Sequence, residues 1–287
     1  MRKLKLIGFL LLFAAGGLTV VNAQDVHFSQ FGQTPQLINP GATGMFNGEF
    51  RSFLNYRSQW TGIGNGFRTY AASFDAPLAK GKGRKRGEKA YLGLGLNFYT
   101  DVAGSSNFRS TQANVSVSGI LPIAKQHKVS LGLQGGLGQN SADLNRLTWG
   151  NQFDGEAFDR QLESDELHAS GSYQYFDLSA GAFYEFKMEG TSFISDDLSS
   201  FNVGIAGYHL NKPKQQFLTN TTDRLPMKIV AQFSGTFDLG YVPLSLVPSM
   251  FYAVQGVTKE ITPGMLVKLR TGRDTKYSGM FKEAAVY

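Results

Sequence analysis

From Tyr91 to Thr100 the chain alternates strictly. Leu92, Leu94, Leu96 and Phe98 take one face, and Gly93, Gly95 and Asn97 take the other. Val129–Leu137 repeats the pattern, with Val129, Leu131, Leu133 and Leu137 opposed to Ser130, Gly132, Gln134 and Gly136. So does Phe176–Lys187, where Phe176, Leu178, Ala180, Ala182, Tyr184 and Phe186 oppose Asp177, Ser179, Gly181, Glu185 and Lys187. In Met227–Leu239, Met227, Ile229, Ala231, Phe233, Phe237 and Leu239 oppose Lys228, Gln232, Ser234, Thr236 and Asp238. A period of two is the period of a β-strand, and no helical period competes with it after Ala23. Runs of this length match the roughly 9–11 residues that a tilted strand needs to cross a bilayer, against about five or six in a globular strand. A wall with an unbroken apolar face and a polar or glycine-rich one is what a membrane barrel requires. The fold class expected is therefore all-β, an antiparallel transmembrane outer-membrane β-barrel.

The N-terminus points to the same compartment. Arg2, Lys3 and Lys5 precede an apolar run from Leu6 to Val20, and Val21-Asn22-Ala23 offers a small-residue cleavage site before Gln24. That is the pattern of a secretory leader. No later stretch has the roughly 18 consecutive apolar residues of a membrane helix. Removing the leader takes three of the 28 basic residues and none of the 22 acidic ones, so the exported chain is only mildly basic. Much of that charge sits in the run from Lys80 to Lys89, read as a solvated turn. Glycine stands at 34 of 287 residues, above the usual share of about 7%, which suits small inward-facing wall positions. The chain has no cysteine, which excludes a disulfide framework, a thiolate metal site and a cysteine nucleophile. Export argues against a nucleic-acid partner.

Eleven strands are expected, at 49–60, 66–78, 90–100, 106–122, 127–140, 173–188, 199–210, 225–240, 243–257, 261–271 and 277–287. With the N-terminus in the periplasm, the longest connection, 141–172, falls outside, and the tight connections 123–126 and 241–242 fall in the periplasm. Long outer loops and short periplasmic turns are the asymmetry of such barrels. Eleven is odd where bacterial single-chain barrels are even, so the count predicts a barrel that continues past Tyr287. The domain reading is a leader over 1–23, a periplasmic or lumenal segment over 24–48, and a barrel over 49–287, truncated at its C-terminal side. A cation at Leu94 or Phe233 should be costly, whereas Gly95→Ser and Gln232→Arg on the other face should be tolerated.

Four short patterns occur in order. They are Gln24-Asp-Val-His-Phe-Ser-Gln-Phe31, then Leu37-Ile-Asn-Pro-Gly-Ala-Thr-Gly44, then Phe50-Arg-Ser-Phe-Leu-Asn-Tyr-Arg-Ser-Gln-Trp60, then Tyr70-Ala-Ala-Ser-Phe-Asp75. Together they resemble the PorP/SprF family of type IX secretion membrane proteins. The motif residues that carry the resemblance are His27, Phe28, Gln30, Phe31, Asn39, Pro40, Gly44, Asn55, Tyr56, Arg57, Gln59, Trp60, Ser73, Phe74 and Asp75. The resemblance implies an outer-membrane barrel of 14 strands when complete, without catalytic residues or a cofactor. It also implies an accessory role in type IX secretion and gliding motility. The implied partners are a large secreted surface adhesin, other components of the secretion system, and outer-membrane lipid.

Two other functions compete: a passive porin-like channel and an outer-membrane hydrolase. The four histidines, His27, His127, His168 and His209, are not at metal spacing and read as isolated surface or turn residues. No G-x-S-x-G occurs, and Gly62-Ile-Gly-Asn-Gly66 lacks the lysine and helix of a phosphate loop. The acidic stretch Asp154–Glu166 lacks calcium-loop spacing and reads as a solvated loop. Trp60 and Trp149 are expected at strand ends, in the interfacial aromatic belt. No metal site and no cofactor site is expected.

Overall fold

The structure is a computed structural model that describes residues 28, 31–62, 66–78, 89–144, 147–159, 161–163, 171–188, 200–216, 223–239, 244–271 and 284–286. The expected leader over 1–23, His27, Gln30, His168 and most of the basic run fall outside these residues. Eleven strands form a single sheet: β1 (Arg51–Gln59), β2 (Phe67–Leu78), β3 (Tyr91–Ala103), β4 (Phe108–Ala124), β5 (His127–Ser141), β6 (Ser172–Lys187), β7 (Ser200–Tyr208), β8 (Lys228–Asp238), β9 (Leu244–Gln255), β10 (Thr258–Thr271) and β11 (Ala284–Val286). Each pairs antiparallel with the next in chain order, and the sheet curls as a half-barrel. Among the described residues no helix is long and apolar enough to cross a membrane, which says nothing against crossing by strands.

The alternation decides the two faces. Leu131, Leu133 and Leu137 are 72%, 69% and 68% exposed, while Ser130 and Gln134 between them are 2% and 4% exposed. An inside-out distribution of this kind is the pattern of a membrane-barrel wall, apolar outside and polar inside. Pairing carries the apolar face across the wall, as in the row Leu94, Val117, Leu133, Ala180. Aromatic rings collect near both ends of this outer face. At one end Tyr56 lies 4.9 Å from Tyr70, and Trp60 meets Phe67 edge-on at 5.5 Å. At the other, His127 and Phe201 both pack on Phe186, at 4.9 and 5.2 Å. Amphipathic rings at two levels are the belts of a membrane wall.

Two expectations change. The β9–β10 connection is a two-residue turn at Gly256-Val257, on the same end of the sheet as the longest loop, so tight turns are not confined to the opposite end. Gly256 takes φ +59°, a left-handed conformation that glycine adopts without steric cost and that lets the chain reverse in two residues. Trp149 lies within the long loop, at the start of a short 3-10 turn (Gly150–Gln152), and only Trp60 stands at a strand end.

Candidate functional site

The other face of the sheet is occupied by the chain's own N-terminal segment. It begins as a 3-10 turn (Phe31–Gln33) and passes through one helical turn, α1 (Pro35–Ile38), with Pro35 in the first turn, where its missing N–H costs nothing. A second 3-10 turn follows (Pro40–Ala42). Asn39 caps it, its Oδ1 accepting the Gly41 N–H at 2.8 Å. Gly44 then reverses the chain at φ +70°.

This Asn39–Gly44 turn sits directly on the strand backbones. Pairing aligns Gly93, Ser118, Gly132, Gly181 and Ala206 in one row across β3 to β7. A Cβ on Gly132 would collide with the Pro40 carbonyl, and one on Gly181 with the Asn39 side chain. Gly44 is constrained twice, by its φ and because a Cβ there would lie 2.7 Å from the Gly93 Cα. With side chains removed from the row, polar groups reach the main chain of the turn. Ser118 donates to the Thr43 carbonyl at 2.5 Å, and Ser130 donates to the Gly41 carbonyl. Asn39 Nδ2 donates to the carbonyls of Ala182 and Ile205 at 3.0 and 3.3 Å. Thr43 Oγ1 and Ser116 Oγ are 3.0 Å apart.

One ion pair locks the arrangement. Arg51 places Nε and Nη2 on the two oxygens of Asp75, at 3.0 and 2.7 Å. Asp75, 1% exposed, also accepts the Gly44 N–H at 2.7 Å, and Arg51 Nη2 donates to the Ala42 carbonyl at 3.1 Å. A bidentate guanidinium–carboxylate pair thus grips the turn by its backbone at two points.

Apolar anchors hold the segment at opposite parts of the wall. Phe28 is buried with Ala71 and Tyr99 of β2 and β3, while Phe31 is buried with Ala206, Val230 and Phe251 of β7, β8 and β9. Met45 packs on Tyr91, Ile120 and Phe183. The segment therefore bridges the curl of the sheet. Above it the wall carries a polar chain: Tyr99 donates to Gln112 at 2.6 Å, Gln112 donates to Asp177 at 3.2 Å, and Asp177 holds the His209 ring at 2.9 Å. His209 is thus buried and hydrogen-bonded to Asp177 just past the end of β7, not the isolated surface or turn residue expected. Its positive φ of 56° re-aims the side chain inward, which no local pattern announces.

The motif residues fall into two groups. Phe28, Phe31, Asn39, Pro40, Gly44, Arg57 and Asp75 meet at the segment and its seat; Arg57 lies 3.8 Å from Asp101 with its guanidinium over Phe28. Tyr56, Trp60 and Phe74 face outward, Phe74 stacked on Phe50. Asn55 and Ser73 are half-buried on the inward side of β1 and β2, the side of Arg57 and Asp75, and Gln59 is exposed at the end of β1. Arg51 and the glycine row were not among the expected site residues, although the glycines stood in plain view on the polar side of the alternation. Gly95→Ser does not point into open space, and neighbouring side-chain ends must shift to admit it. A Cβ there would meet Ser116, Gln36 and Thr43 at 2.7–2.9 Å, because the segment fills the space.

A family model described as type IX secretion system membrane protein PorP/SprF matches residues 20–275. The chain belongs to this family. A search of curated proteins gave no match. PorP/SprF proteins are membrane components of the type IX secretion system, not known as enzymes.

The chain's lack of cysteine gives a clean check of the seat. Thr43→Cys with Ser116→Cys should oxidise to a disulfide, since the native hydroxyl oxygens lie 3.0 Å apart. A reductant-sensitive gel shift of the double variant, absent from either single variant, is the expected reading.

Proposed function

We propose that this PorP/SprF protein is a non-conducting outer-membrane barrel that helps to secrete or hold a large adhesin at the cell surface, working by binding alongside other type IX secretion components. On this reading the leader is cleaved before Gln24, and residues 24–48 form a lumenal segment. The observation that carries it is the seated turn. A porin needs an open lumen, whereas here the space inside the curl is taken by a segment tied through Arg51 and Asp75. A barrel whose interior is filled in this way offers its ends, not a bore, to partners. The motif residues around the seat then act as structure, keeping the segment in place, and the long loops are left for recognition. The adhesin class comes from the family resemblance, as does the link to gliding.

The test is deletion of the gene, followed by quantitative proteomics of protein shaved from intact cells and of the medium. One or more very large secreted proteins should leave the surface fraction and return on complementation. Unchanged surface display, with lost uptake of a small solute, would favour the channel instead.

A further inference from the structure

The described residues of the connection between β5 and β6 carry more internal ties than a spacer requires. Its base is tied to the β3–β4 turn by the Asp143 N–H donating to the Ser106 carbonyl at 2.8 Å. Gln152, 7% exposed, accepts from the Trp149 N–H at 3.1 Å and donates to the Leu162 carbonyl at 3.0 Å, so one buried amide joins both arms. Phe153 and Phe158 pair across the arms with ring centroids 5.2 Å apart. Between them Asp154 Oδ1 accepts the N–H groups of Glu156 and Ala157, both at 2.8 Å. The bond from Ala157 and then that from Glu156 hold this carboxyl below its ordinary range, so it stays charged.

What this scaffold presents is unusual for a water-facing loop. Phe153, Phe158 and Leu162, in the connection beyond the ends of β5 and β6, are 47%, 56% and 40% exposed. Isolated exposed apolar residues are ordinary, but a paired set such as Phe153 and Phe158, braced by Gln152, marks a contact surface. The chemistry of the occupant follows from charge. Trp149–Glu163 carries Asp154, Glu156, Asp159 and Glu163 against Arg160 alone, in a chain whose net charge is +6. A second copy of this loop would be repelled by it, and so would anionic headgroups. A cationic protein surface would be attracted, and its lysine or arginine side chains can lie over the two phenyl faces.

We propose that the Trp149–Leu162 hairpin is the contact through which the barrel holds its secreted partner, and that the partner meets it with a basic, apolar-lined protein surface. This rests on the adhesin reading above. The test compares the gene deletion with two loop variants in intact cells: Phe153→Ser with Phe158→Ser, and Glu156→Lys with Glu163→Lys. The proteins that the deletion strain loses from the surface are the ones scored in the variants. Both variants should reach the membrane in normal amount, and each should lower retention of those proteins by about ten-fold, as expected for the loss of central anchors. The charge variant leaves the aromatic pair intact, so its loss cannot be put down to an unfolded hairpin. Normal retention in both variants, with loss in the deletion strain, overturns the hairpin assignment and leaves the adhesin reading standing. Normal retention in the deletion strain overturns both.

Discussion

Replacing Asp75 with alanine is expected to destabilise the protein by about 3 kcal/mol, the lower end of the range for breaking a buried ion pair. The lower end applies because the Arg51 side chain keeps 20% of its exposure and can partly rehydrate. Three donors lose their acceptor together: Arg51 Nε, Arg51 Nη2 and the Gly44 N–H. Arg51 remains beside Phe46, 4.5 Å from the ring, and keeps its bond to the Ala42 carbonyl, so the segment loosens at Gly44 first. Denaturant titration of the reconstituted protein measures the loss, and limited proteolysis between Asn39 and Gly48 should become faster in step with it. Asp75→Asn, which keeps one acceptor oxygen, should fall between. If Asp75→Ala unfolds at the same denaturant concentration as the parent, the ion pair does not hold the segment.

The strands were legible in the sequence because alternation is local. Leu131 and Gly132 declare opposite faces from their immediate neighbours alone, and the pairing confirms both. The seat was legible only in pieces. Gly93, Gly132 and Gly181 lie far apart in the chain, and each alone reads as a small wall residue. They become one trough through the strand register, which depends on every intervening turn length. Asp75 could be picked out from its motif, but its partner Arg51 could not, since the nearby Arg57 is an equally plausible inward-facing cation of β1. The structure separates them: Arg51 takes Asp75, and Arg57 faces Asp101 and Phe28. The long acidic loop reads as solvated from its polar composition, and its described acidic residues are exposed, but composition does not reveal that Gln152 and Asp154 fold it back on itself. His209 was misread for a related reason: its partner Asp177 sits on the neighbouring strand, 32 residues earlier.

Neighbouring residues of β5 should fail for opposite reasons. Leu131, 72% exposed, lies on the face assigned to lipid, and Gly132 is pressed against the Pro40 carbonyl. Leu131→Ala should cost little, because the side chain packs on almost nothing within the protein. Leu131→Arg should cost about 2–4 kcal/mol in a bilayer if the residue lies near the midplane, less toward an interface, since a cation there meets hydrocarbon. Gly132→Ala and Gly132→Val should both destabilise, by about 1–3 kcal/mol as overpacking does, whether the protein is in a bilayer or not. The valine should be worse and should also expose the segment to protease. Gln232→Arg provides the inward-facing control. It borders a cavity of about 130 Å³ lined also by Arg51, Glu185, Asn202 and Ser234, where Glu185 and Asn202 offer an added cation acceptors beside the existing guanidinium. The measurement is refolding into lipid vesicles against denaturant, with each variant compared with the parent. A bilayer-specific loss for Leu131→Arg, a bilayer-independent loss for Gly132→Val and near-parent behaviour for Gln232→Arg together assign the faces. Equal losses for Leu131→Arg and Gln232→Arg would mean that the exposed leucine face does not meet lipid.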